Sequence, residues 1–66
     1  MEYFDYESVA KKAGIPPHKL DALRKLVRHE FPHDDMMSEL HLLRVCMAIQ
    51  EGYITIDEAL RCEKAA

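Results

Sequence analysis

The sequence lacks the features that mark several large classes of protein. No apolar run approaches the roughly 20 residues of a membrane-spanning helix, and the acidic, aromatic start of the chain is unlike a secretory signal peptide. Cysteine is scarce, and Cys46 and Cys62 form no C-x-x-C pair. We therefore expect a cytoplasmic protein without membrane contacts, whose cysteines stay reduced and act as small hydrophobic residues.

Catalytic signatures are also missing from the sequence. It contains no G-x-S-x-G elbow, no phosphate-binding P-loop and no ordered serine, histidine and aspartate set. A chain of 66 residues also has little room to enclose a substrate. We therefore expect a non-enzymatic protein with no cofactor, and nothing in the sequence indicates a small-molecule substrate.

The composition is that of one small folded domain, which we expect to span residues 1–66. Hydrophobic residues make up 48% of the chain and charged residues 32%. The formal net charge is −3, but residues 1–31 carry six Lys/Arg against five acids, and residues 32–66 carry three against seven. Such an acidic protein is not an obvious nucleic-acid binder, although its first half is mildly basic.

The spacing of the apolar residues predicts an all-α domain of four helices. We expect these helices over about residues 6–13, 17–31, 35–51 and 56–63. Asp5 is placed to cap the first helix, and Thr55 and Glu58 form the T-x-x-E capping box of the last. The side chains that we expect among the most buried are Leu20, Leu23, Leu40, Leu43 and Leu60.

The third predicted helix carries two apolar stripes on opposite sides. One stripe contains Met36, Leu40, Leu43 and Met47, and the other contains Leu42, Val45 and Ile49. We expect the first stripe to face the first two helices, and the short last helix to leave Leu42 partly exposed. An exposed apolar patch with a polar rim is typical of a binding site for a partner helix or a second copy. The predicted partner-binding residues are Met37, His41, Leu42 and Val45.

One polar cluster contains residue types that bind metals, namely His29, Glu30, His33, Asp34 and Asp35. Pro32 interrupts the helix that would bring the two histidines together, and no cysteine lies at short spacing. We therefore interpret the cluster as surface histidines beside a helix cap and expect no metal site. A metal-dependent activity at this cluster is the third and weakest functional hypothesis.

Two segments resemble MerR-type helix-turn-helix regulators. The segment YESVAKKAGIPPHKL resembles the opening helix pair of that family, and DDMMSELHLLRVCMAIQEGYITIDEAL resembles its second helix pair. The resemblance implies a compact fold derived from the winged helix, with an N-terminal helix-turn-helix. Most members use this fold on DNA, whereas chaperone-modulator relatives use it to dock on proteins.

The sequence departs from the family where DNA would be contacted. Asp21 stands where the family usually has an arginine, and Pro16 and Pro17 remove amide donors from the turn. The remaining candidate nucleic-acid contacts are Lys19, Arg24, Lys25 and Arg28. We therefore expect a protein-recognition or regulatory adaptor that binds a protein partner or a second copy. The alternative is a small DNA-binding regulator acting as a dimer, with weak DNA binding.

Overall fold

The computed structural model describes residues 3–65, and this part of the chain contains four α-helices and no strand. The helices are α1 (Tyr6–Lys12), α2 (Pro17–Glu30), α3 (Asp35–Gln50) and α4 (Ile56–Ala65). The predicted all-α class is confirmed, and each predicted helix boundary is met within two residues. Between residues 3 and 65, none of the helices combines the length and apolar character that crossing a bilayer requires.

Local hydrogen bonds fix where the helices begin. The carboxylate of Asp5 accepts a hydrogen bond from the backbone amide of Ser8 at 3.2 Å, which caps α1. The predicted capping box is present, because Thr55 Oγ1 accepts from the Glu58 amide at 3.1 Å and Glu58 Oε1 accepts from the Thr55 amide at 3.0 Å. The hydrogen bond that the Glu58 carboxylate accepts from the Thr55 amide is the largest of the effects that hold the pKa of Glu58 below its usual range.

Two glycines follow the ends of helices with a left-handed backbone. Gly14 has φ of +75° after α1, and Gly52 has φ of +85° after α3. Only glycine adopts this conformation without steric cost, so the turn that follows each helix depends on it.

The helices enclose one hydrophobic core. In this core α1 packs on α3, while α2 packs on both α3 and α4. The predicted burial of Leu20 and Leu23 is confirmed, whereas Leu40, Leu43 and Leu60 are only partly buried. The buried residues that form the core are Tyr6, Ala10, Ile15, Leu20, Leu23, Val27, Leu42, Cys46 and Ala59.

The predicted orientation of α3 is wrong. Leu42, expected to be exposed, is only 1% exposed, and Cys46 beside it is fully buried. Met36 and Met47, expected to face the core, are 49% and 47% exposed. The helix therefore turns its Leu42 side towards α1 and α2, and its methionine side towards solvent.

The physical reason lies in the other residues of the buried face. Ser38 and Cys46 are small and lie on the same side of α3 as Leu42, so a neighbouring helix can approach closely there. Glu39 is buried as well, and its Oε1 accepts hydrogen bonds from the backbone amides of Tyr3 at 2.9 Å and Phe4 at 3.0 Å. These bonds offset the cost of burying the carboxylate and hold the segment before α1 against α3.

Candidate functional site

One side of α3 carries an apolar ridge that is exposed at its two ends and partly buried between them. It consists of Met36, Leu40, Leu43 and Met47, and we call it the outer stripe. The two methionines are about half exposed, while the two leucines between them are partly buried. Spacings of four, three and four residues place all of these side chains on one line along the helix.

Arg44 is one of the charged residues that border this ridge. It lies four residues after Leu40 and three before Met47, so its side chain borders the outer stripe. Arg44 is exposed, and within residues 3–65 no carboxylate forms an ion pair with it. The outer stripe is therefore an exposed apolar surface with an unneutralised positive charge at its edge.

Leu42, the predicted centre of the partner-binding patch, is not exposed. Leu42 belongs to the core, and the expectation that it is exposed is wrong because α3 faces the other way. Val45 packs against the core, and His41 is held by Glu63. Met37 is partly buried. The role of Met37, His41 and Val45 in partner binding stays a prediction.

All four candidate nucleic-acid contacts form ion pairs with carboxylates of the chain itself. The pairs are Lys19 with Asp57 (2.9 Å), Arg24 with Asp21 (3.2 Å), Lys25 with Asp21 (3.3 Å) and Arg28 with Asp35. Exposed pairs of this kind are weak and can be exchanged for phosphate contacts. They nevertheless reduce the positive potential that would attract DNA to this surface.

Arg24 also contributes to the contact between α2 and α1. Its Nε donates a hydrogen bond to the hydroxyl of Tyr6 at 3.0 Å, and its guanidinium carbon lies 5.7 Å from the centre of the Tyr6 ring. Tyr6 is buried in the core, so this contact joins α2 to α1. Releasing Arg24 to a phosphate would give up this hydrogen bond and the cation–π contact.

The residues with metal-binding side chains that are close together in the sequence make separate contacts in the structure. Asp34 accepts a hydrogen bond from the amide of Met37 at 3.0 Å, which confirms it as the cap of α3. Asp35 pairs with Arg28. Glu30 joins a different group, and the structure does not bring His29 and His33 into it.

The group that contains Glu30 also contains His41 and Glu63. Each of these residues can place one ligand atom within 4.8 Å of those of the other two, and no other set in residues 3–65 does so. His41 Nε2 lies 2.7 Å from Glu63 Oε1 and 3.9 Å from Glu30 Oε2. We call this group the polar triad. The sequence analysis missed it because its members belong to three helices, with no short spacing between them.

The polar triad is partly shielded from water. The side chain of Glu63 is 10% exposed, compared with 25% for Glu30 and 35% for His41. A hydrogen bond with Glu63 raises the pKa of Glu30, and burial and the negative charge of Glu63 raise it further, against the opposing effect of His41. The ring of Phe31 lies 5.7 Å from the His41 ring, centre to centre.

Comparison with known proteins gave no relative of this chain. No protein-family model, no curated protein and no solved structure matched it.

Proposed function

We propose that this chain is a non-enzymatic protein-recognition module that acts as a regulatory adaptor. Its partner is a protein that presents an amphipathic helix to the outer stripe of α3. The observation that carries the proposal is the apolar ridge of Met36, Leu40, Leu43 and Met47, whose two methionines are about half exposed and whose two leucines are partly buried. Exposed apolar side chains grouped on one face mark interaction sites in many folded domains.

The shape and chemistry of the outer stripe support a helical partner. The stripe spans residues 36–47, which corresponds to roughly 16 Å along the helix axis and about three turns of a partner helix. Methionine side chains are flexible and polarisable, and they suit surfaces that adapt to a ligand. Arg44 at the edge favours a partner with an acidic residue beside its apolar face.

The resemblance to MerR-type regulators supports the same proposal in its chaperone-modulator form. In that interpretation the helix-turn-helix shape is kept for protein docking and the DNA-contacting surface is reduced. The ion pairs of Lys19, Arg24, Lys25 and Arg28 favour this over a DNA-binding dimer. If DNA is bound at all, we expect binding that weakens steeply with salt and ignores sequence, in a mobility-shift titration.

Site-specific cross-linking tests the proposal. A photo-reactive amino acid replaces Met47 in cells of the native host, and cross-linked proteins are identified by mass spectrometry. A second variant carries the same group at Tyr53, which is 83% exposed and lies outside the outer stripe. We expect a partner protein that cross-links from position 47 and not from position 53. Sedimentation equilibrium of the purified chain tests for a second copy as occupant.

Calorimetry with the purified partner then measures the contribution of the outer stripe. The double variant Met36→Asp/Met47→Asp should weaken binding at least about tenfold, because it places charge in the apolar contact. The control Gln50→Asp adds one negative charge at an exposed position of the same helix and should change the affinity little. Unchanged binding by the double variant would show that the partner uses another surface.

A further inference from the structure

We propose that the polar triad of Glu30, His41 and Glu63 is a binding site for a divalent transition-metal ion of the zinc type. The site is built by the ends of α2 and α4 and the middle of α3, so it is separate from the outer stripe. The proposal is independent of the proposed adaptor function.

The donor set fits such an ion. Imidazole nitrogen and carboxylate oxygen are both zinc ligands, and open zinc sites have three protein ligands with a water molecule in the fourth position. An imidazole nitrogen favours zinc and related ions over magnesium and calcium, which prefer oxygen ligands only. Each of the three ligands comes from a different helix, so the packing of α2, α3 and α4 places them together.

The distances also fit. Ligand atoms at about 2.0–2.1 Å from a tetrahedral ion lie roughly 3.3 Å from one another. The imidazole nitrogen of His41 lies 2.7 Å from one carboxylate oxygen and 3.9 Å from the other, on either side of that value. The two carboxylate ligand atoms lie within 4.8 Å of each other. Side-chain movements of about 1 Å would therefore bring the three atoms to the spacing of a tetrahedral site.

The charges of the triad also favour a cation. The carboxylate oxygens of Glu30 and Glu63 lie within 4.8 Å of each other, and they repel each other when both side chains are charged. A divalent cation between them would neutralise both carboxylates. Glu63 in particular is largely shielded from water, so its negative charge gains from a nearby cation.

Metal binding at this position would tie the end of α4 to the rest of the domain. Glu30 is the last residue of α2, and Glu63 lies in the last turn of α4. Because the unfolded chain does not hold these ligands together, an ion bound to the folded form stabilises the fold. The sequence predicts no metal site, so a zinc titration distinguishes that prediction from the present proposal.

Titration of the purified chain with Zn²⁺ provides the test. We expect one equivalent to bind in calorimetry, and free zinc at 100 times Kd should raise Tm by about 10 °C or more. In the ¹H–¹⁵N spectrum of the imidazole rings, the signal that shifts should be that of His41 among the four histidines. Co²⁺ in place of Zn²⁺ should show the visible absorption of a tetrahedral site.

Matched variants locate the site. Glu63→Gln and Glu30→Gln keep the side-chain size, and each should weaken zinc binding by at least about tenfold. His29→Ala and His33→Ala remove histidines outside the triad and should leave binding unchanged. Circular dichroism at low temperature checks that each variant is folded. The proposal is overturned if zinc does not bind saturably, if binding survives both glutamine variants, or if it is lost in either histidine control.

Discussion

The two faces of α3 differ in composition and in exposure to solvent. The outer stripe is the more hydrophobic face, with two methionines and two leucines, yet it is the more exposed of the two: its methionines are about half exposed and its leucines are partly buried. The inner face contains Ser38, Glu39, Leu42 and Cys46, and it is buried. Hydropathy alone would assign the two faces the other way round. Burial in this domain is therefore decided by which face lets other helices approach and satisfies its polar groups.

The comparison also separates stability from recognition. The inner face meets α1 and α2 and carries the side chains on which the fold depends. The outer stripe contributes less to the core and leaves apolar area available to a partner. If this division is correct, equivalent substitutions on the two faces will have opposite consequences for folding and for binding.

The largest loss of folding stability is expected from Leu42→Asp. It places a charge where the leucine is 1% exposed, and should cost about 4 kcal/mol or more, which unfolds most domains of this size. Thermal melting followed by circular dichroism measures it. Met47→Asp is the matched control on the outer face and should melt within a few degrees of the original chain. A folded Leu42→Asp variant would show that the inner face is not core.

A smaller loss of folding stability is expected from Glu39→Ala. The substitution removes the acceptor of the Tyr3 and Phe4 amides, and hydrogen bonds to a charged acceptor are worth about 1.5–3 kcal/mol. Urea unfolding gives the change in free energy. Gln50→Ala, at an exposed position of the same helix, should change it by less than about 0.5 kcal/mol. Equal losses in both variants would mean that the buried carboxylate has no particular role.

The two cysteines extend the comparison to chemical reactivity. Cys46 lies on the inner face, and burial raises the pKa of its thiol to about 11, whereas Cys62 is exposed on α4. A disulfide reagent at pH 8 should label Cys62 rapidly and Cys46 only after unfolding. Cys46→Ser should cost about 1–2 kcal/mol because it buries a hydroxyl, and Cys62→Ser almost nothing. Rapid labelling of both thiols in the folded chain would contradict the burial of Cys46.

A small effect on folding is also expected from Met36→Gln/Met47→Gln. Both side chains are about half exposed, so the double substitution should change the free energy of unfolding by about 0.5 kcal/mol or less. The same variant should lose most of its affinity for a partner that binds the outer stripe. Stability is measured by urea unfolding and affinity by calorimetry. A stability loss as large as that of Glu39→Ala would instead make the outer stripe structural.

The helices could be predicted because their signals are local. The Thr55 and Glu58 pair lies within four residues of sequence, and Gly14 and Gly52 mark helix ends by backbone conformation. The orientation of α3 could not be predicted in this way, because both of its faces are apolar. The contact that distinguishes them joins Glu39 to backbone amides 35 and 36 residues earlier in the chain.

The polar triad could not be predicted from the sequence for the same reason, because its contacts join residues that are far apart in the chain. Glu63 lies 22 residues after His41, and their 2.7 Å contact depends on how α4 returns to α2 and α3. The metal hypothesis drawn from the sequence concerned His29 and His33 instead, because these histidines are close together in the chain. The nucleic-acid contacts stay a prediction. The ion pairs that Lys19 and Arg28 form with Asp57 and Asp35 could not be predicted either, because they join different helices.

The packing of α1 and α4 has a consequence for amide hydrogen exchange. α2 and α3 are the two longest helices and pack directly on each other, whereas α1 packs mainly on α3 and α4 mainly on α2. A helix of seven residues, such as α1, has almost no helicity in isolation, so its hydrogen bonds last only while it stays docked. Each terminal helix can therefore open while the central pair stays closed, and its amides should exchange with deuterium sooner than those of α2 and α3.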